Sequence, residues 1–238
     1  MSRKSKRKTR ELRIAGGVLG CTLTLTGCIG EAPPEGNGTG ASSIGSGAIE
    51  ALSGCTTNTL ARNDDGSTSV VSLGFTINFF SVTRTDLYVN NNGNVTFGAP
   101  MSTYTPFNLY TAGRQLIAPF FGDVDTRNSG SDVVRYGQTT RNGHSAFCVN
   151  WAGVGVGYYN QRVDKLNKFQ LILESRPDTG NAQNFDIIFN YDQIQWETGE
   201  ASGGVNGLGG SPARAGYSNG VAANSYELPG SGVRGAFL

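Results

Sequence analysis

One hairpin pattern decides the fold class of this chain: Leu87-Tyr88-Val89-Asn90-Asn91-Asn92-Gly93-Asn94-Val95-Thr96-Phe97. Apolar and polar residues alternate on both sides of Asn92-Gly93, which is typical of strands with one buried face. Asn-Gly between two such runs is the strongest short-range signal for a hairpin with a type I′ turn, because both turn positions need positive φ. We therefore expect an antiparallel pair of strands that share one buried face, formed by Leu87, Val89, Val95 and Phe97.

The remainder of residues 55–238 repeats this kind of pattern. Helix-period patterns are scarce, and short runs of β-branched and aromatic residues recur between turn signals. Further strands are predicted at residues 69–73, 75–80, 116–121, 133–136, 146–151, 169–174, 185–191, 214–217 and 225–228. A length of about 180 residues suits one buried core and is short for two. The sequence thus predicts an all-β single domain, an antiparallel β-sandwich, placed after a signal peptide and a disordered linker.

Residues 1–27 have the order of a secretory signal peptide, with a basic run followed by an apolar stretch from Ile14 to Leu25. That stretch is too short for a permanent membrane span, which needs about twenty apolar residues. Leu25-Thr26-Gly27-Cys28 resembles the bacterial lipobox. The resemblance implies a lipoprotein signal peptide, cleavage before Cys28 and lipid attachment to that cysteine. The alternative is an ordinary secretory signal cleaved elsewhere, with Cys28 as an unmodified thiol.

Residues 28–54 are rich in Gly, Ser, Ala and Pro, with too little apolar surface to offset the entropy of ordering. They are predicted to form a flexible tether between the lipid and the domain. Loss of residues 1–27 leaves 12 basic and 17 acidic residues, a formal net charge of −5. Because nucleic-acid binders need a basic patch, we expect no nucleic-acid partner. Ile29 after the cysteine resembles the pattern of enterobacterial lipoproteins sorted to the outer membrane, so the expected location is the cell envelope, at the outer membrane or cell surface.

Two cysteines remain in the predicted domain, Cys55 and Cys148. An exported chain matures in an oxidising compartment, where an even number of cysteines favours a disulfide. The alternative is a pair of buried free thiols.

Several segments in order resemble the nidogen-like extracellular domain. They are residues 87–97, 117–127, 169–173, 185–191, 194–197 and 215–220, and the resemblance covers about residues 87–235. The family occurs in nidogen, tectorin and mucin-like surface proteins and is associated with adhesion between cell and matrix. The resemblance therefore implies a non-catalytic adhesion module whose partner is an extracellular protein or glycan, and it carries over no catalytic residues.

A turn after an apolar strand offers the best candidate for a metal site. Asp123, Asp125, Asn128 and Asp132 could supply several of the six to eight oxygen ligands that calcium prefers. The alternative is that Asp123 and Asp125 bind backbone amides or Arg127 and cap the turn. We expect no other cofactor.

Four tyrosines near glycine-containing or proline-containing loops are candidate binding residues: Tyr104, Tyr110, Tyr158 and Tyr159. Exposed rings could stack on sugars or bury against a protein partner, whereas core packing is the competing explanation. Two other functions stay open. A carbohydrate-active enzyme would use a pair of carboxylates from Glu174, Asp186, Asp192 and Glu197, and a structural envelope protein would need neither carboxylates nor exposed rings.

Overall fold

The computed structural model describes residues 8–14 and 47–238. The predicted lipid-bearing Cys28 lies outside the described residues, as do most of the predicted signal peptide and tether. The described residues form thirteen strands: β1 (Lys8–Ile14), β2 (Asn58–Thr59), β3 (Val71–Phe79), β4 (Val82–Asn90), β5 (Asn94–Thr96), β6 (Gln115–Phe121), β7 (Val124–Asp125), β8 (Arg135–Arg141), β9 (His144–Tyr158), β10 (Arg162–Ser175), β11 (Phe185–Gln193), β12 (Arg214–Asn219) and β13 (Ser225–Glu227).

The strands form two antiparallel sheets, which confirms the predicted fold class. The first sheet has the order β1-β11-β10-β9-β8-β2, with β7 also paired to β9. The second sheet has the order β13-β12-β6-β5-β4-β3. The two sheets pack face to face as a sandwich in a single domain.

The main core lies between the sheets and follows from the period-2 patterns. In β10, Phe169, Leu171 and Leu173 are fully buried in this core, as the alternation predicts. The predicted face of the hairpin is buried as well: Leu87, Val89 and Val95 are 0% exposed and Phe97 is 6% exposed. Trp151 of β9 stacks on Phe169 with ring centroids 5.1 Å apart, which adds large apolar area at the centre.

The hairpin turn differs from the predicted two-residue type I′ turn. The register pairs Asn90 with Asn94, so the loop has three residues, 91–93. Only Gly93 of these has positive φ, at 72°. This combination is typical of a three-residue loop that ends in a left-handed residue. Glycine is needed there for a second reason, because a Cβ on Gly93 would lie 1.7 Å from the carbonyl oxygen of Phe120.

A smaller apolar cluster covers the outer face of the first sheet. Cys55, Ala146, Cys148, Ile172 and Ile188 are buried there, with Leu52 packed against them. The predicted disulfide is present, with the Cα atoms of Cys55 and Cys148 5.2 Å apart.

Residues 47–54, which the sequence assigns to the tether, lie along this face. The backbone N–H of Ala48 donates to Asp192, and Glu50 pairs with Arg141 at 2.8 Å.

The described helices are short 3-10 turns at Ser53–Thr56, Leu109–Thr111, Pro177–Thr179, Glu200–Ser202 and Ala222–Asn224. Within residues 8–14 and 47–238, no helix combines the length and the apolar character that a bilayer crossing requires.

Strand β1 belongs to the predicted signal peptide and lies at the edge of the first sheet. It pairs with β11 from Lys8 opposite Tyr191 to Ile14 opposite Phe185. If the predicted cleavage removes residues 1–27, β11 becomes the edge strand.

Candidate functional site

The asparagine-rich turn between β4 and β5 fastens a separate loop, residues 61–67, to the end of the sandwich. Asn91 is 0% exposed, and its side-chain amide donates to the carbonyl oxygens of Asp64 and Val124, both at 2.5 Å. The backbone carbonyl oxygen of Asn91 accepts from the indole N–H of Trp151 at 2.9 Å. Buried amides are stable when their hydrogen bonds are made, so these contacts fix the backbone at Asp64.

The next residue of the turn continues this network. The side-chain amide of Asn92 donates to Asp65 Oδ1 at 2.8 Å. Its side-chain oxygen accepts from the backbone N–H of Val124 at 2.9 Å. Asn92 therefore connects Asp65 with the residue that follows Asp123.

These contacts bring three carboxylates together. One oxygen from each of Asp64, Asp65 and Asp123 lies within 4.8 Å of the other two, and no other group of three or more such ligands occurs in the described part of the chain. Asp123 is 1% exposed, and its Oδ2 has no hydrogen-bond partner among the described residues. Asp64 Oδ1 is also buried without a partner there. We call Asp64, Asp65 and Asp123 the aspartate trio.

Burial and nearby negative charges make ionisation of Asp64 and Asp123 costly. The pKa of Asp123 is raised to about 7, chiefly by burial and also by the charges of Asp64, Asp65 and Asp125. Burial and then the charge of Asp125 raise the pKa of Asp64 to about 6. The nearby guanidinium of Arg127 lowers both pKa values but does not cancel these effects.

A glycine closes the site from the other side. Gly199 precedes the short helix Glu200–Ser202 and is buried. A Cβ there would lie 2.5 Å from Asp123 Oδ2. Its φ of −73° is open to any residue, so glycine is needed for space and not for backbone conformation.

The structure does not group the four predicted calcium ligands. Asp125 accepts from Arg127 at 2.6 Å and from the backbone N–H of Gln161 at 2.7 Å. Asn128 Oδ1 accepts from the backbone N–H of Gly130 at 2.8 Å. Asp132 Oδ1 accepts from the backbone N–H of Val133 at 2.8 Å.

Asp125 thus binds Arg127 and a backbone amide, as the alternative interpretation predicts. Asn128 and Asp132 bind neighbouring backbone amides, and Asp123 alone joins the trio. Asp64 and Asp65 were missed because Asn63-Asp64-Asp65-Gly66 is typical of an ordinary turn.

The candidate tyrosines fall into two groups. Tyr104 and Tyr110 are each 40% exposed and Tyr159 is 36% exposed, so their rings are accessible. Tyr158 is 0% exposed and packs against Trp196, with ring centroids 5.7 Å apart. For Tyr158 the core explanation is therefore correct.

The carboxylates of the enzyme alternative have structural partners. Glu174 pairs with Arg141 at 2.5 Å and Asp186 pairs with Arg176 at 2.5 Å. Asp192 Oδ1 accepts from Ala48 at 3.2 Å. Glu197 is 0% exposed, and its Oε1 accepts from the backbone N–H of Gly235. These contacts suit structural roles.

Comparison with known proteins extends the sequence resemblance. Residues 85–236 match the model of the nidogen-like domain. The chain is 36% identical over 190 residues to mouse alpha-tectorin, covering 71% of this chain and 8% of the relative. It is 35% identical over 190 residues to human alpha-tectorin, with the same coverage. It is 30% identical over 205 residues to nidogen of Drosophila melanogaster, covering 74% of this chain and 14% of the relative.

The chain therefore spans only a small part of the curated relatives it matches. No solved structure matches it. The matched region contains strands β5 to β13, which belong to both sheets, and it also contains Asp123. The chain belongs to the nidogen-like domain family.

Proposed function

We propose that this protein is a non-catalytic adhesion or binding module displayed on a bacterial cell envelope and anchored by a lipid on Cys28. The observation that carries the proposal is the family match over residues 85–236. An extracellular adhesion or structural module fits this family.

The best candidate for a contact surface is the segment of residues 98–113, which covers the outer face of the second sheet. Met101 and Leu109 of this segment are buried with Leu116, Ala118 and Phe121 of β6. Tyr104 and Tyr110 extend from the same segment with exposed rings. The apolar anchors thus hold a backbone that presents two aromatic side chains.

Hydrogen bonds hold the segment further. Asn108 caps its short helix by accepting from the backbone N–H of Tyr110 at 2.9 Å. The backbone N–H of Leu109 donates to Glu227 at 2.6 Å. A ring on a fixed backbone loses little conformational entropy when it binds, and this favours contact with a sugar or an apolar protein surface.

A binding array with the full chain tests the adhesion proposal. The purified protein is applied to immobilised glycans and matrix proteins, and positive ligands are measured again by surface plasmon resonance. Truncation of an aromatic contact residue costs about 2 kcal/mol or more at an interface hot spot, a loss of about thirtyfold in affinity. Tyr104→Ala or Tyr110→Ala should show such a loss, whereas Tyr159→Ala, in the turn between β9 and β10, should bind normally.

Two outcomes contradict this assignment. Uniformly negative arrays count against the adhesion function. Equal losses in Tyr159→Ala and Tyr104→Ala count against the surface of residues 98–113.

The lipid anchor needs a separate test. A bacterial host that expresses the full chain is fed an alkyne-tagged fatty acid, and the label is read on the purified protein. We expect the label in the parent and none in Cys28→Ala. A parent chain without label would refute the anchor and leave the binding proposal standing.

A further inference from the structure

Asp123 presents a problem of charge burial that the hydrogen bonds of the domain do not solve. Its side chain is 1% exposed, and Oδ2 has no partner among the described residues. A buried carboxylate without a partner is costly, so natural proteins pair it, protonate it or place it on a metal ion. Asp123 belongs to the aspartate trio, in which two more carboxylates lie close to its own.

We propose that Asp64, Asp65 and Asp123 bind one calcium ion. Calcium–oxygen distances are about 2.3–2.6 Å, so oxygens on opposite sides of the ion are about 4.6–5.2 Å apart and neighbouring ones are closer. The three trio oxygens all lie within 4.8 Å of one another. This spacing is compatible with one calcium ion that is bound by all three carboxylates after small side-chain adjustments.

The nearby arginine does not replace a metal ion. Arg127 is 2.6 Å from Asp125 Oδ2 and 2.9 Å from Asp64 Oδ2, and its side chain is 40% exposed. Among the three carboxylates of the trio, Arg127 forms an ion pair with Asp64 only, in the described part of the chain. No cationic side chain in the described part of the chain forms an ion pair with Asp65 or Asp123.

The ligand chemistry favours calcium over other biological cations. The trio contains only hard carboxylate oxygens, with no histidine or cysteine that would favour zinc or copper. Calcium tolerates irregular shells of six to eight oxygens, whereas magnesium needs a near-ideal octahedron. The three aspartates supply three to six oxygens depending on how many bind in the bidentate mode, and water completes the shell.

The ion would join two parts of the chain that are distant in sequence. Asp64 and Asp65 belong to the loop of residues 61–67, which the amides of Asn91 and Asn92 hold at the end of the sandwich. Asp123 lies between β6 and β7. Calcium would therefore fasten the loop to the end of the sheet, where Gly199 leaves room for the carboxylate.

Thermal unfolding of the full chain measures this site. The protein is stripped with EDTA and dialysed, and its melting temperature is followed by tryptophan fluorescence as calcium chloride is added. At a calcium concentration about a hundred times Kd, we expect the melting temperature to rise by about 5–10 °C. Titration calorimetry should give one ion per chain, and magnesium at the same concentration should produce a smaller rise.

Two variants and one control locate the site. Asp123→Asn removes the buried charge, so without calcium it should melt no lower than the parent, and it should lose most of the calcium shift. Gly199→Ala keeps all three carboxylates but places a methyl group 2.5 Å from Asp123 Oδ2, so it should weaken calcium binding at least tenfold. Asp132→Asn is the control, because Asp132 lies in the turn of residues 123–132 but outside the trio. Its melting temperature should rise with calcium as much as that of the parent.

Three results would overturn the proposal. The first is a parent chain whose melting temperature and titration heats do not respond to millimolar calcium. The second is an equal loss of the calcium shift in Asp132→Asn and Asp123→Asn. If Asp123→Asn or Gly199→Ala does not fold, Asp65→Asn replaces it, because Asp65 is only partly buried. The third refuting result is a calcium-induced rise in melting temperature of Asp65→Asn that equals that of the parent.

Discussion

Removal of the disulfide should destabilise the domain strongly. The double variant Cys55→Ala, Cys148→Ala opens a loop whose ends are 93 residues apart in sequence. The chain-entropy model gives about 4.7 kcal/mol for a loop of this size, and residual structure in the unfolded chain reduces the measured value. We therefore expect a loss of about 3–5 kcal/mol. For a domain of this length, that corresponds to a fall of about 6–20 °C in melting temperature.

The assay is thermal and urea unfolding of the parent and the double variant under non-reducing conditions. The parent treated with dithiothreitol provides an internal comparison, because reduction opens the same loop without changing the sequence. Alanine is the suitable replacement because both cysteines are 0% exposed in an apolar cluster with Ala146 and Ile172. A melting temperature within about 2 °C of the parent, for both the variant and the reduced parent, would refute the entropic reasoning.

Two further substitutions should also destabilise the domain, by different mechanisms. Gly93→Ala would place a methyl group 1.7 Å from the Phe120 carbonyl oxygen, so we expect a loss above about 3 kcal/mol in urea unfolding. Gly98 also has positive φ, but a Cβ there would have no atom within 4 Å, so Gly98→Ala should lower the free energy of unfolding by only about 1 kcal/mol. Similar losses in Gly93→Ala and Gly98→Ala would contradict the steric argument. Arg141→Ala leaves the carboxylate of Glu174, 2% exposed, without its guanidinium, so we expect a loss of about 3 kcal/mol at pH 7 and partial recovery in Arg141→Lys. An Arg141→Ala variant as stable as the parent would show that Glu174 finds another partner.

The sequence predicts the sandwich well because period-2 patterns determine which face of each strand is buried. Phe169, Leu171 and Leu173 illustrate this, since their alternation alone predicts the inner face of β10. Strand limits are harder to predict when pairing determines them. The pattern suggests two strands at residues 69–73 and 75–80, but Gly74 adopts positive φ within the single strand β3, and its register shifts between Ser72 and Ile77. Pairing also carries β9 on to Tyr158, beyond the predicted end at residue 151.

The aspartate trio shows where sequence reasoning reaches its limit. Asp123 could be identified because it follows an apolar strand. Asp64 and Asp65 could not be assigned to the same point, because their position depends on buried amide bonds from Asn91 and Asn92. An Asn-Asn-Gly turn indicates a hairpin, and nothing local distinguishes an exposed turn from one that is 0–1% exposed and bonded to another loop.

The disulfide also determines how the domain would carry mechanical load. If the chain is held through its N-terminal tether while a partner grips the domain, tension enters at Cys55. The sulfur–sulfur bond passes that tension directly to Cys148 in β9, which lies between β8 and β10 in the first sheet. Residues 56–147 form a covalently closed loop, so pulling on the two ends of the chain cannot extend them. The proposed contact segment, residues 98–113, lies within this loop, so tension from a partner bound there would divide between the two arms of the loop, and strands β10 to β13 would lie outside the loaded path.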